Sequence, residues 1–129
     1  MLEPVNFKVG DDDYQLLPHT GFTVLNLDRK VLGLFGAMYS DPGAVSEDTA
    51  FVSLAAALDS LSVSDYRWLV ETTLSRVTVV TEGKRHVSLS DMDAVSAHFA
   101  GQMQNLYAVI FEVWRRLRLS PFAEAPAGN

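Results

Sequence analysis

Apolar residues along the chain change their period several times, and each change marks an expected element. Over Val5-Asn6-Phe7-Lys8-Val9 and Tyr14-Gln15-Leu16-Leu17-Pro18, apolar and polar residues alternate around Gly10-Asp11-Asp12-Asp13. This predicts a β-hairpin over residues 5–18, because alternate side chains of a strand face opposite sides. Pro18 and Gly21 then end the extended chain. From Thr23 to Met38 the apolar positions Val24, Leu25, Leu27, Val31, Leu32, Leu34, Phe35 and Met38 recur at helical spacing and cover most of the circumference. A helix apolar nearly all round belongs at the centre of a core or beneath a second chain. Gly33 and Gly36 lie three apart on one side of it, and each costs about 1 kcal/mol relative to alanine in a helix interior. A close backbone approach within the core is the expected compensation.

Ser40-Asp41-Pro42-Gly43 predicts a loop, followed by a second helix from near Glu47 to Leu61 with Phe51, Leu54, Leu58 and Leu61 on one stripe. Ser64 is the expected N-cap of the next helix, with Val63 and Trp68 spaced for a hydrophobic staple. The β-branched run Val77-Thr78-Val79-Val80 favours a strand, Thr81-Glu82-Gly83-Lys84 a turn, and His86-Val87-Ser88 a short returning strand. Ser88-Leu89-Ser90-Asp91 repeats the pattern of Ser62-Val63-Ser64-Asp65, which reads as one capping solution used twice. After Ser90 comes the longest periodic segment: Val95, Phe99, Met103, Leu106, Tyr107, Ile110, Trp114 and Leu117. At 1.5 Å per residue, one helix over this span would be roughly 42 Å long. Such a rod exceeds the globule, so it must project, bend at Gly101 or pack on another subunit. The expected architecture is mainly α with a small β component: an N-terminal β-hairpin and a helical bundle with a long C-terminal helix. Residues 1–119 form one domain in this reading, and 120–129 a flexible tail carrying Pro121, Pro126 and Gly128.

Composition narrows the function classes. The chain has 129 residues and a formal net charge of −6, enough for one compact domain. It has no cysteine, which removes disulfides, thiol catalysis and thiolate metal sites. Residues 1–64 carry nine acids and three bases, whereas residues 65–129 carry seven of each. The acidic half disfavours nucleic-acid binding, although Lys84-Arg85-His86 and Arg115-Arg116-Leu117-Arg118 are basic clusters. The start, Met1-Leu2-Glu3-Pro4, lacks the pattern of a signal peptide, and no apolar run approaches the roughly 20 residues of a membrane span. A cytoplasmic location is the expectation.

The catalytic inventory is empty, and the chain is expected not to be an enzyme. Counting a calcium loop from Asp11 puts Leu16 and Phe22 where glycine and glutamate are needed, so the acidic triplet reads as a solvated hairpin turn. His19, His86 and His98 have no metal-ligand spacing. Gly83-Lys84 lacks both the upstream glycine and the following Ser or Thr of a phosphate loop, and there is no Gly-x-Ser-x-Gly elbow. No catalytic, cofactor or metal residue is assigned. What remains is an interaction surface: Trp114, Arg115, Arg118 and Phe122 are candidate partner-binding residues, since Trp and Arg are enriched at interface hot spots. Packing of Trp114 in the core, with the arginines complementing the helix dipole, is the competing reading.

The order of elements adds a family. The hairpin strands Val5–Val9 and Tyr14–Pro18, the apolar helix, the Leu54 to Trp68 helices, the Leu74-Ser75-Arg76-Val77 exit and the last helix with Gln104-Asn105-Leu106-Tyr107 and Phe111 resemble the tail assembly chaperones of long-tailed bacteriophages and prophages. The resemblance spans residues 5–122. It implies a non-enzymatic protein of the bacterial host cytoplasm, without cofactor, that binds the tape-measure protein and promotes polymerisation of the tail-tube protein around it. A homo-oligomer is expected from the apolar first helix and the long last one. Two other classes stay open: a virion structural protein, such as a head–tail connector or tail-completion protein, and a small regulator or inhibitor that binds a host factor.

Overall fold

The computed structural model describes residues 3–36 and 54–119. Strands β1 (Val5–Val9) and β2 (Asp12–Leu16) form the expected hairpin, with Val9 opposite Asp12. The turn is therefore only Gly10-Asp11. Gly10 takes φ +60° and Asp11 has no positive φ, the φ pattern of a type II′ turn, which matches strand twist. This tight turn pulls Asp12 and Asp13 into the strand, two residues earlier than the alternation indicates. Asp12, Tyr14 and Leu16 face inwards on β2, and Phe7 stacks on its cross-strand partner Tyr14 with ring centroids 5.5 Å apart.

Helix α1 (Gly21–Gly36) follows, then a helical stretch over residues 54–59 and helix α2 (Val63–Leu74). The first expected helix thus starts two residues early; its last two residues, the loop at 40–43 and residues 47–53 of the helix expected from Glu47 lie outside the described residues. Strands β3 (Val77–Val79) and β4 (Val87–Ser88) come next. They join the hairpin in one antiparallel sheet of order β1-β2-β3-β4, with Leu16 opposite Val77 and Val79 opposite Val87. Period-two patterning places each strand but says nothing of its neighbour, so this union is new information from the structure.

The long C-terminal helix is two helices. Helix α3 (Met92–Phe99) and helix α4 (Met103–Arg116) are separated by Ala100, Gly101 and Gln102, with Gly101 at φ +77°. Of the three ways of fitting a 42 Å rod, the bend at Gly101 is the one adopted, because glycine reaches that conformation without a Cβ penalty. An over-long helix therefore gives no argument for a second subunit.

The caps also differ from expectation. Ser62, not Ser64, caps α2 and accepts the Asp65 N–H at 3.1 Å. Val63 is consequently the first helical residue and 85% exposed, so no staple to Trp68 forms. Asp91, not Ser90, caps α3 through the Ala94 N–H at 2.9 Å. The two similar tetrapeptides start their helices at different positions because Ser88 is spent in β4 and Leu89 donates to Val77 O, keeping the second chain extended for longer.

Buried residues from β1, β2, β3, all four labelled helices and residues 54–58 meet in one hydrophobic cluster. Helix α4 supplies Leu106, Val109, Ile110, Phe111, Val113 and Trp114 to it and packs on α2 and β1. Fully burying one such side chain stabilises the fold by about 1.5–3 kcal/mol.

Candidate functional site

The described residues bring chemistry-bearing side chains together in one place, at the end of the sheet. Asp12 is buried, and its Oδ1 accepts from Thr81 Oγ1 and Lys84 Nζ, both at 3.0 Å. His98 Nε2 lies 3.6 Å from Asp12 Oδ2 and 2.8 Å from the Tyr14 hydroxyl. Asp12 is thus not part of a solvated turn, correcting the expectation for the acidic triplet. Burial raises its pKa, but hydrogen bonds from Lys84 and Thr81 and the neighbouring positive charges outweigh this and hold the carboxyl below its ordinary value. Burial dominates at His98 and pushes it down, with Lys84 adding to that and Asp12 opposing. Tyr14 is fully buried, and the cluster ties β2 and the turn after β3 to the end of α3. Its arrangement locks these elements together. Among the described residues no group of His, Asp and Glu has the geometry to hold a metal ion.

A second buried histidine does structural work. His19, just before α1, hydrogen-bonds Thr72 O through Nε2 at 2.7 Å, and its Nδ1 is buried without a partner. A carbonyl only accepts, so Nε2 carries the hydrogen in this bond. Burial pushes its pKa down, the bond to Thr72 O partly offsets this, and Arg76 adds to the depression.

The expected partner-binding residues are divided by the structure. Trp114 is fully buried in the core and donates its indole N–H to Thr73 Oγ1 at 2.9 Å, so its ring is not presented on a surface. The periodicity put it on the apolar stripe; enclosure between α2 and α4 is what removes it from the surface. Arg115 is exposed and pairs with Glu112 at 2.8 Å, sharing that carboxylate with Arg116 at 2.6 Å. Arg116 also lies over the Phe7 ring, 5.1 Å from its centroid. Phe122 lies outside the described residues.

Arg118 is the unusual residue. It is exposed and sits just past α4 at φ +56°, the single non-glycine residue with positive φ among those described. Arg118 N–H donates to Arg115 O at 3.1 Å and Leu119 N–H to Trp114 O at 3.2 Å. These are the paired bonds of a Schellman cap, and buried Leu119 and Trp114 supply its hydrophobic contact. Glycine is the usual occupant of this position because a Cβ in the left-handed region costs about 1–2 kcal/mol. The chain carries an arginine there instead, and its guanidinium makes no hydrogen bond or ion pair among the described residues.

A model of the phage tail assembly chaperone proteins matches residues 10–122. The chain belongs to that family. No curated protein and no solved structure gives a significant match. For this tail assembly chaperone, membership rests on nearly the whole described fold, from the hairpin turn to the cap of α4. No helix among the described residues is long and apolar enough to cross a membrane.

Two features of the chaperone's surface carry no strong sequence signal. Glu112, which holds Arg115 and Arg116 in place, is one acid among helix polars until its i,i+3 and i,i+4 partners are counted. The outer side of α1 is the other: Phe22 is 77% exposed, Leu25 66% and Leu32 45%. The all-round apolar pattern reads as a helix central in a core or beneath a second chain, but it does not separate core face from outer face.

Proposed function

We propose that this tail assembly chaperone is a non-enzymatic protein of the host cytoplasm that binds the tape-measure protein and promotes polymerisation of tail-tube subunits around it. Family membership is the observation that carries the reading. The tail-protein contact is assigned to the C-terminal end of α4, through Arg115, Arg118 and the following Phe122. Support for that surface comes from Arg118, which holds an unfavourable backbone conformation while its charged group faces outwards, the kind of local cost that accumulates at functional positions. Trp114 belongs to this surface indirectly, by anchoring the cap that sets the direction of Arg118.

Co-expression with the tape-measure protein tests the reading. The chaperone is expected to keep that protein soluble and to be recovered with it. Changing Arg115→Ser and Arg118→Ser together should leave folding nearly intact, since an exposed charge at a helix end is worth about 0.3–1 kcal/mol. Recovery of the tape-measure protein should fall sharply. Unchanged recovery with a folded double variant would remove this surface, and stable incorporation of the chain in purified virions would favour a structural component instead.

A further inference from the structure

The sheet has an open edge at β1. Asp13 N–H donates to Thr81 Oγ1, Asp13 O accepts the Val80 N–H, and Leu17 N–H donates to Arg76 O. Every second residue from Asp13 onwards thus turns its backbone groups towards β3. Asp12, Tyr14 and Leu16, lying between them, turn theirs towards β1 and pair with Val9, Phe7 and Val5. The N–H and C=O groups of Asn6 and Lys8 therefore point away from the sheet. Both residues are exposed, and among the described residues nothing bonds to their backbone. On the inner side of the strand Val5 and Val9 are only half-buried, with buried Phe7 between them. Positive charge stands on both sides of this edge. Lys8 lies on the outer side, and its ion pair with Asp13, 3.7 Å long and well exposed, is a weak one. On the inner side Arg116 lies over the Phe7 ring and shares the single carboxylate of Glu112 with Arg115, so that group keeps a net positive charge on a chain whose total is −6. Its Nε is buried without a partner among the described residues.

We propose that β1 takes up an extended acidic segment of a partner protein, which adds to the sheet as one more antiparallel strand. The backbone selects the shape of the occupant. Asn6 and Lys8 together offer two donors and two acceptors in a row, a set that another extended backbone satisfies. Charge selects its composition. An acidic residue opposite Lys8 gains a cross-strand ion pair, and the positive charge at Arg116 adds to the attraction. Apolar residues opposite Val5 and Val9 complete the burial of those side chains, so the fitting segment alternates apolar and acidic residues. Its length is bounded as well. Pro4 has no N–H to continue the ladder and the turn at Gly10 closes the other end, which leaves room for about five residues. A second copy of the chain fits this edge poorly. Two antiparallel β1 strands side by side would bring Lys8 and Arg116 of both copies to one seam, and lysine on an edge strand is a common guard against such pairing. The inference does not rest on the assignment of Arg115 and Arg118 to a tail protein, because it concerns a different element and a different mode of binding.

The test titrates the full chain with the peptide acetyl-Val-Glu-Val-Glu-Val-amide and follows the backbone amide signals by NMR. Shifts centred on β1 and slower hydrogen exchange at Asn6 and Lys8 are expected, with a dissociation constant of roughly 0.1–1 mM for so short a strand. The same peptide methylated at its two glutamate nitrogens cannot donate to the edge and should bind about tenfold more weakly or worse. A lysine peptide of the same pattern should bind about fivefold more weakly or worse. Asn6→Pro should leave the hairpin folded, because Asn6 N–H makes no bond within it, yet weaken the acidic peptide by about tenfold or more. Lys8→Glu, also at an exposed position, should remove the preference for the acidic peptide. Absence of binding, equal binding of the methylated peptide, shifts centred away from β1, or unchanged binding to a folded Asn6→Pro chain would each overturn the proposal. So would self-association of the chain that Asn6→Pro abolishes, which would assign the edge to a second copy. Should Asn6→Pro not fold, the methylated peptide decides alone.

Discussion

Replacing Arg118 separates stability from partner binding. The residue occupies the left-handed position of the α4 cap at φ +56°. Placing a Cβ there costs about 1–2 kcal/mol, which glycine avoids. Glycine gives back about 0.5–1 kcal/mol through its larger freedom in the unfolded chain. Both Arg118→Gly and Arg118→Ala remove the same guanidinium and the same favourable charge at the helix C-terminus, worth about 0.3–1 kcal/mol. The difference between the two variants therefore isolates the backbone effect. Arg118→Gly should be more stable than Arg118→Ala by about 0.5–1 kcal/mol, and within a few tenths of the unmodified chain or above it.

The assay is urea unfolding followed by circular dichroism, read as the midpoint at constant slope. In parallel, each variant is tested for recovery of the tape-measure protein, and both should lose it equally because both lack the guanidinium. The two readouts thus move differently: stability ranks glycine above alanine, whereas binding does not distinguish them. If Arg118→Ala is as stable as Arg118→Gly, the left-handed cap is not the conformation in solution and the strain argument for Arg118 fails. If binding persists in both, the strain has no connection with this partner.

Three further outcomes follow from the interior. His19 and His98 both resist protonation in the folded state, so the unfolded chain takes up protons first as pH falls below the ordinary histidine value of about 6.5, and stability should decline through that window. Asp12, held below its ordinary value, adds a second decline below about pH 4, and a thermal midpoint that stays flat from pH 7.5 to 5 would contradict the histidine assignment. Thr73→Val removes the acceptor of the Trp114 indole N–H and should cost about 1–3 kcal/mol, visible in the urea midpoint together with a change in tryptophan emission. Gly10→Ala forces a Cβ into a left-handed turn, 3.0 Å from Asn105 Nδ2, and should cost about 1–2 kcal/mol; a neutral effect would mean that the hairpin turn is rebuilt.

How much of this was legible beforehand depends on the range of the interaction involved. The hairpin, α1 and the 77–79 strand were readable because period two and period 3.6 are local properties of the chain. Pairing of β2 with β3 was not, since Leu16 and Val77 meet only through the fold. The caps fell in between. Ser62 and Ser64 are equally good candidates by residue type, and packing decides between them. Trp114 and Arg118 lie four residues apart on what read as one surface, yet one is enclosed and the other exposed. Phe122, outside the described residues, stays with them as a proposal resting on composition. The Asp12 cluster was missed because its members come from β2, the turn after β3 and α3, and no spacing in sequence connects Asp12 with His98.

Two positions run against local stability in opposite senses, and together they allow one more test. Gly33 stands at an open, exposed helix position, not at the close approach expected within the core, and alanine is better there by about 1 kcal/mol. Arg118 stands in a left-handed cap where glycine relieves a cost of similar size. Folding alone favours the exchange at both sites, and breaches of local preference without structural compensation are expected where a surface serves something other than folding. A chain carrying Gly33→Ala and Arg118→Gly should unfold at a higher temperature than the unmodified chain. With about 1 kcal/mol from the first change and up to a few tenths from the second, a shift of about 2–6 °C is expected. The same chain should lose tape-measure recovery through the change at Arg118. A double variant that is no more stable shows that contacts outside the described helix face and cap already compensate for these residues, and the case for functional surfaces at both sites then falls. A double variant that is more stable yet still recovers the tape-measure protein isolates the failure to Arg118 and leaves the case at Gly33 intact.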